Sequence, residues 1–202
     1  MNDIHREFLD IVTQVRTHLE YQAALGVRAV ATSVPHSAPV ETFPPAVVVG
    51  EGNLKAAVVF VSEAQRLEED RQVSAFEGAA GQLLCDIIVK GMKLKCEDVY
   101  VCSIVGSSTP DELAACGPVL KKQIKAVGPG VIVALGDTAV RTLLGMDEGV
   151  NAIRGTWRAS DGIPVMPTFD PAHLLKNPQD KKPAWEDIQK VMKKLQLVAG
   201  SS

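Results

Sequence analysis

The chain is short of most features that would place it quickly. Among its 202 residues, no stretch approaches the run of ~20 apolar residues that a membrane helix needs. Positive charge is not in excess: Lys and Arg number 21 against 24 Asp and Glu, and the net charge is −3. That balance argues against a bulk electrostatic grip on nucleic acid, although a local basic patch is still compatible with it. Cysteine is scarce, and Cys85, Cys96, Cys102 and Cys116 contain no C-x-x-C pair. No histidine stands at ligand spacing from them. The four are therefore expected to be reduced residues filling core or surface positions, rather than metal ligands. Internal repeats and low-complexity tracts are missing. Met1–Asp10 is polar and acidic, which is unlike a signal peptide. These absences lead to the expectation of a cytoplasmic protein with no membrane span.

What is present is an ordinary globular composition, 46% hydrophobic and 22% charged. The length suits one domain that buries roughly 70% of its unfolded surface. Asp3–Leu25 shows helical apolar spacing, with Gly26 as a natural stop. Positions 31–45 are rich in Ser, Thr and Pro and read as an irregular connector. Beyond them, Ala56–Val61, Val99–Val105, Val131–Leu135 and Gly162–Met166 read as strands. Gly78–Met92, Asp111–Val127, Thr138–Leu144 and Pro183–Leu197 read as helices. Strands separated by such helices predict a parallel sheet covered on both faces, an α/β fold. The expected organisation is an N-terminal helix and connector over 1–45, packed on a domain spanning 46–202.

In such a sheet the carboxyl ends of the strands define the binding crevice. The segments 62–75, 102–109, 136–138 and 168–178 fall there. The first is the most informative. Ser62-Glu63-Ala64-Gln65-Arg66 puts a carboxylate directly after a buried strand, with no glycine to let a backbone approach a ligand.

These segments carry a series of motifs. Ser62-Glu63-Ala64-Gln65-Arg66 is followed by Glu69-Asp70, Val73-Ser74-Ala75-Phe76 and Gly78-Ala79-Ala80-Gly81-Gln82-Leu83-Leu84. Further on come Cys116-Gly117-Pro118-Val119-Leu120 with Gln123-Ile124, then Val131–Gly136 and Arg154-Gly155. The series ends with Pro167-Thr168-Phe169-Asp170-Pro171-Ala172-His173-Leu174-Leu175-Lys176-Asn177-Pro178 and Trp185-Glu186-Asp187. In order and spacing it resembles the uracil-DNA glycosylase superfamily, especially its family-4 type, from about Val48 to Leu197. The resemblance implies a three-layer α/β/α sandwich around a central, mainly parallel four-stranded sheet. It also implies base-flipping chemistry, in which a damaged base is extruded into a pocket and its N-glycosidic bond hydrolysed.

The resemblance assigns residues to the four jobs of that reaction. Glu63 takes the acid position that orients and polarises the attacking water, with a turn cap as the alternative. Phe76 takes the aromatic position that stacks on the flipped base, and Glu77 beside it puts a charge where an apolar residue is usual. Ser103, or Cys102 if the register slips by one, stands where the family reads the uracil edge with an asparagine amide. Asp170 replaces the histidine that donates a hydrogen bond to the leaving uracil anion. An ionised aspartate repels that anion unless its pKa is raised. His173 is either a substitute donor or an ordinary loop histidine.

DNA contact is implied for the loop Pro171, Ala172, Leu174, Leu175 and Lys176, with Leu174 or Leu175 as the wedge or as core. Phosphate contacts are implied for Arg66 and Arg154, with Lys181 and Lys182, against the alternative of a solvated charged face. The family's iron–sulfur cluster needs four cysteines, and only Cys116 sits at a matching position, so no metal or other cofactor is expected. Two functional readings follow. One is a uracil-DNA glycosylase-like protein of base-excision repair whose base release is weak, altered or lost. The other is a non-catalytic paralog that binds nucleic acid or protein. The expected partner is DNA, without a membrane, and the expected state is a monomer.

Overall fold

The computed structural model describes residues 47–64, 74–105 and 110–199. The expected N-terminal helix and connector, together with Gln65, Arg66, Glu69 and Asp70, lie outside the described residues. Strands β1 (Val47–Gly52) and β2 (Val58–Ala64) precede α1 (Gly78–Asp86), which runs on as a π turn over Ile87–Gly91. A 3-10 turn (Cys96–Asp98) leads into β3 (Tyr100–Val105), α2 (Pro110–Val127), β4 (Val131–Leu135) and α3 (Gly136–Leu144). Then come α4 (Val150–Ile153), β5 (Arg158–Ser160), β6 (Ile163–Thr168) and α5 (Pro171–Lys176). A second 3-10 turn (Pro178–Asp180) leads into α6 (Lys181–Ala199).

The strands form one sheet in the order β1-β3-β2-β4-β6-β5. The middle four are parallel to one another, as the four predicted strands require. The two edges are antiparallel additions that the sequence pattern did not reveal. β1 contains two glycines and follows a Pro-rich connector, and β5 has three residues, so neither shows a sustained alternation.

Side-chain alternation along the strands builds two cores, one on each face of the sheet. Val59 and Val61 of β2 and Ile132 and Ala134 of β4 join Cys116 and Leu120 of α2 and Val140 and Leu143 of α3. Val58, Phe60, Val131 and Val133 face the other way, toward Leu84 of α1 and Ile188 and Val191 of α6. Two helical layers therefore cover the sheet, giving the expected α/β/α sandwich. Among the described residues, no helix is long and apolar enough to cross a membrane.

Three expectations need correction. Ser62, Glu63 and Ala64 lie on β2 rather than in a loop, because they continue the parallel register opposite Ser103, Ile104 and Val105. The segment after β6 is helical over Pro171–Lys176, with Asp170 as N-cap and Pro171 in the first turn, a favoured start that overrides its loop-like composition. Cys85 and Cys96 are joined in a disulfide rather than reduced. The π turn brings the chain back until their Cα atoms are 6.1 Å apart, and the 11-residue separation of the pair gave no motif to read. Reduction of this disulfide is expected to lower the unfolding free energy by about 2–3 kcal/mol. Denaturant midpoints of the full chain with and without reductant measure this, and coincident midpoints would contradict it.

Candidate active site

A cavity of about 560 Å³ opens at the carboxyl edge of the sheet. Ser62 and Glu63 of β2, Ser103 of β3, Asp170 after β6, and Pro171 and Leu175 of α5 all line it. β2 and β4 are sheet neighbours whose following helices, α1 and α3, pack on opposite faces. This is the switch point where open α/β sheets bind ligands. Across it, Thr138 Oγ1 of α3 donates to Glu63 Oε2 at 2.6 Å, which holds the glutamate at the cavity edge. The segment 136–138 was expected at the crevice, but Thr138 was not singled out, because a threonine in the first turn of a helix carries no motif. The turn between β4 and α3 requires Gly136: its φ is +80°, and a Cβ there would stand 3.1 Å from Cβ of Asp170.

Asp170 has two duties. Its Oδ1 accepts from the Ala172 N–H at 2.7 Å and caps α5. Burial pushes its pKa up to about 6, against the pull of the Ala172 N–H, with the charge of Glu63 adding to the rise and His173 opposing it. A carboxyl raised in the folded state stabilises the fold most below its unfolded pKa. That contribution is lost as pH rises through about 6.

Behind the cavity three distant motifs meet. Arg154 donates from Nε to Asp187 Oδ2 at 3.0 Å and from Nη2 to Oδ1 at 2.8 Å. Nη2 also donates to the Pro183 carbonyl at 2.5 Å. Thr168, the last residue of β6, donates from Oγ1 to Asp187 Oδ2 at 2.8 Å. Asp187 is fully buried, and that burial raises its pKa, while Thr168, Arg154 and Lys190 oppose the rise. Gly155 is needed beside it: φ is +71°, and a Cβ would come 2.5 Å from Asp187 Oδ1. The Arg-Gly, Pro-Thr and Trp-x-Asp motifs thus fix the strand end from which Asp170 projects. Arg154 was expected at a DNA phosphate, but its guanidinium is committed to this ion pair and lies over the Phe169 ring.

The remaining predicted residues separate clearly. Phe76 packs against the core on the α1 side and is not among the residues lining the cavity, whereas Glu77 beside it does line it. The segment just before is tied to the edge strand, since Ser74 Oγ and the Ala75 N–H both donate to the Glu51 carboxylate. Leu174 is buried, which removes it as a wedge, while Leu175 is 43% exposed at the cavity rim. Ala172 and Lys176 also line the cavity. His173 stacks on Phe169 and pairs through Nε2 with Asp180 at 2.6 Å, so it is engaged away from Asp170's task. Lys181 and Lys182 are exposed at the start of α6.

The cysteines do not fit an iron–sulfur cluster, which takes four thiolates. Cys85 and Cys96 are bonded to each other, and Cys102 and Cys116 are buried in β3 and α2. Burial pushes the Cys102 thiol up to about 12, far from thiolate character.

A model of the uracil DNA glycosylase superfamily matches residues 49–189, and the chain belongs to that superfamily. Within it, the chain is 40% identical over 157 residues to a Type-4 uracil-DNA glycosylase of Thermotoga maritima, covering 71% of this chain and 80% of that one. It is 36% identical over 163 residues to the Type-4 uracil-DNA glycosylase of Saccharolobus solfataricus, covering 73% and 76%. A DNA polymerase of Bacillus phage SP01 is 28% identical over 144 residues, which is 68% of this chain but 16% of the polymerase.

Proposed function

We propose that residues 46–202 form a base-excision domain acting on DNA in the cytoplasm as a monomer, with uracil release well below that of the Type-4 relatives. The observation that carries this reading is the composition of the switch-point cavity. Glu63 is held by Thr138 and lines this cavity together with Ser103 and Asp170, and the family resemblance gives the latter two the positions of the amide that reads uracil and the histidine that releases it. A serine hydroxyl does not supply the paired donor and acceptor of an amide. Loss of one preorganised donor to a developing oxyanion costs about 10²–10³-fold in rate. Leu175 at the rim is the proposed wedge, and Lys176 the proposed phosphate contact beside it.

The test is base release from oligonucleotides containing uracil, hypoxanthine or xanthine at enzyme excess, alongside binding to the same oligonucleotides at low and high salt. Slow release with salt-dependent binding is expected. Binding without release from any of the three would favour the second reading, a non-catalytic paralog. That reading rests on Ser103 and Asp170 standing at the positions where the family resemblance implies an asparagine and a histidine.

A further inference from the structure

We propose that Asp170 and Glu63 divide base release between them as acid and base, so that the reaction is confined to the acid side of neutrality. This rests on the base-excision reading above. The two carboxyl groups line one cavity, Glu63 from β2 and Asp170 from the N-cap position that follows β6. β4 lies between β2 and β6, so the two strands stand roughly 10 Å apart at the backbone. Carboxyl pairs that hydrolyse glycosidic bonds by inversion need comparable room for the sugar and a water between them.

The step balances with these two groups alone. As the C1′–N bond breaks, its electron pair goes to the base. The Asp170 hydroxyl proton passes to a carbonyl oxygen or ring nitrogen of the base, which leaves neutral. The water oxygen bonds to C1′ and its proton passes to the Glu63 carboxylate. Asp170 is left ionised and Glu63 protonated, and exchange with solvent restores both. The substrates that suit this scheme are deaminated bases, pyrimidine or purine, whose departure is helped by a proton on oxygen or nitrogen.

The surroundings of Asp170 support a proton held there. Glu63 lines the same cavity from β2 and Glu77 from the start of α1, while Asp137 of α3 is not among the lining residues and its Oδ1 accepts from the Val150 N–H. On α5 stand His173, paired with Asp180, and Lys176. Burial is the largest cause of the raised pKa of about 6, and the carboxylate of Glu63 reinforces it. Paired groups whose environments differ in this way are those that serve as acid and base.

The experiment is single-turnover release of uracil and hypoxanthine by the full chain across the range from about pH 5 to about pH 8, with Asp170→Asn and Asp170→Glu in parallel. The wild-type rate is expected to fall about tenfold per pH unit above about 6. Asp170→Asn should be slow and flat, and Asp170→Glu should regain the acid-side rise. A flat wild-type profile, or the same slope in Asp170→Asn, would overturn the acid role while leaving base excision intact. No release at any pH would overturn the base-excision reading itself. Carboxyl NMR of the intact chain provides a check independent of turnover. Titration of Asp170 near 6 is expected, and an ordinary carboxylate midpoint would overturn its assignment as the acid.

Discussion

Asp170→His combined with Ser103→Asn is expected to raise uracil release at about pH 8 by roughly 10²-fold or more. At that pH Asp170 is ionised, because its pKa lies at about 6. In the proposed role of Asp170, that charge then opposes the negative charge that develops on the leaving base. A neutral histidine removes that repulsion and adds a donor. Ser103 is buried on β3, two residues before its end, and lines the cavity, so an asparagine there is expected to offer its amide to a base held in that space. The two positions line one space, so the double variant should exceed the product of the single effects. The cost is the helix cap: Asp170 accepts from the Ala172 N–H, and losing such a cap removes about 1 kcal/mol of stability. Single-turnover uracil release measures the outcome. A double variant no faster than the wild type would contradict the roles given to both positions.

Asp187→Ala is expected to destabilise the fold by about 3–5 kcal/mol, because it removes one side of a buried ion pair. Arg154, 22% exposed, would be left without its carboxylate, and the Thr168 hydroxyl would lose its acceptor. The damage should not stay local. Thr168 precedes Phe169 and Asp170, and Arg154 lies over the Phe169 ring, so the strand end bearing the cavity residues loses its anchor. Arg154→Ala should behave in the same way. Its main effect belongs in the denaturation midpoint and not in the salt dependence of DNA binding, where a phosphate contact would register. Denaturant titration of both variants measures this. A loss below about 1 kcal/mol for Asp187→Ala would contradict the anchoring role.

The parallel centre of the fold was legible because β2 and β4 are continuous apolar runs bounded by polar turns. β1 and β5 were not, because edge strands of this length have little to bury. The carboxylate at the switch point was also legible, as Glu63 comes just after the apolar run Ala56–Val61. What sequence spacing does not convey is which polar residues are consumed by one another. Arg154 read as a phosphate contact because its partner Asp187 is 33 residues away and belongs to another motif. Leu174 and Leu175 are adjacent, and the helical turn at Pro171–Lys176 sends one into the core and the other to the rim. Cys85 and Cys96 met only because a π turn follows α1, a local geometry with no sequence signature. Asp170 stands where the family resemblance implies a histidine, but its raised pKa was not legible, because it depends on burial in the folded chain.

The most direct test compares single-turnover uracil release by this chain with release by the Thermotoga relative, on the same oligonucleotide near neutral pH. The predicted result is product from both, with this chain slower by at least about 10²-fold. Equal rates would contradict the view that Ser103 and Asp170 have weakened the site. No product from this chain at enzyme excess would contradict base excision as its function.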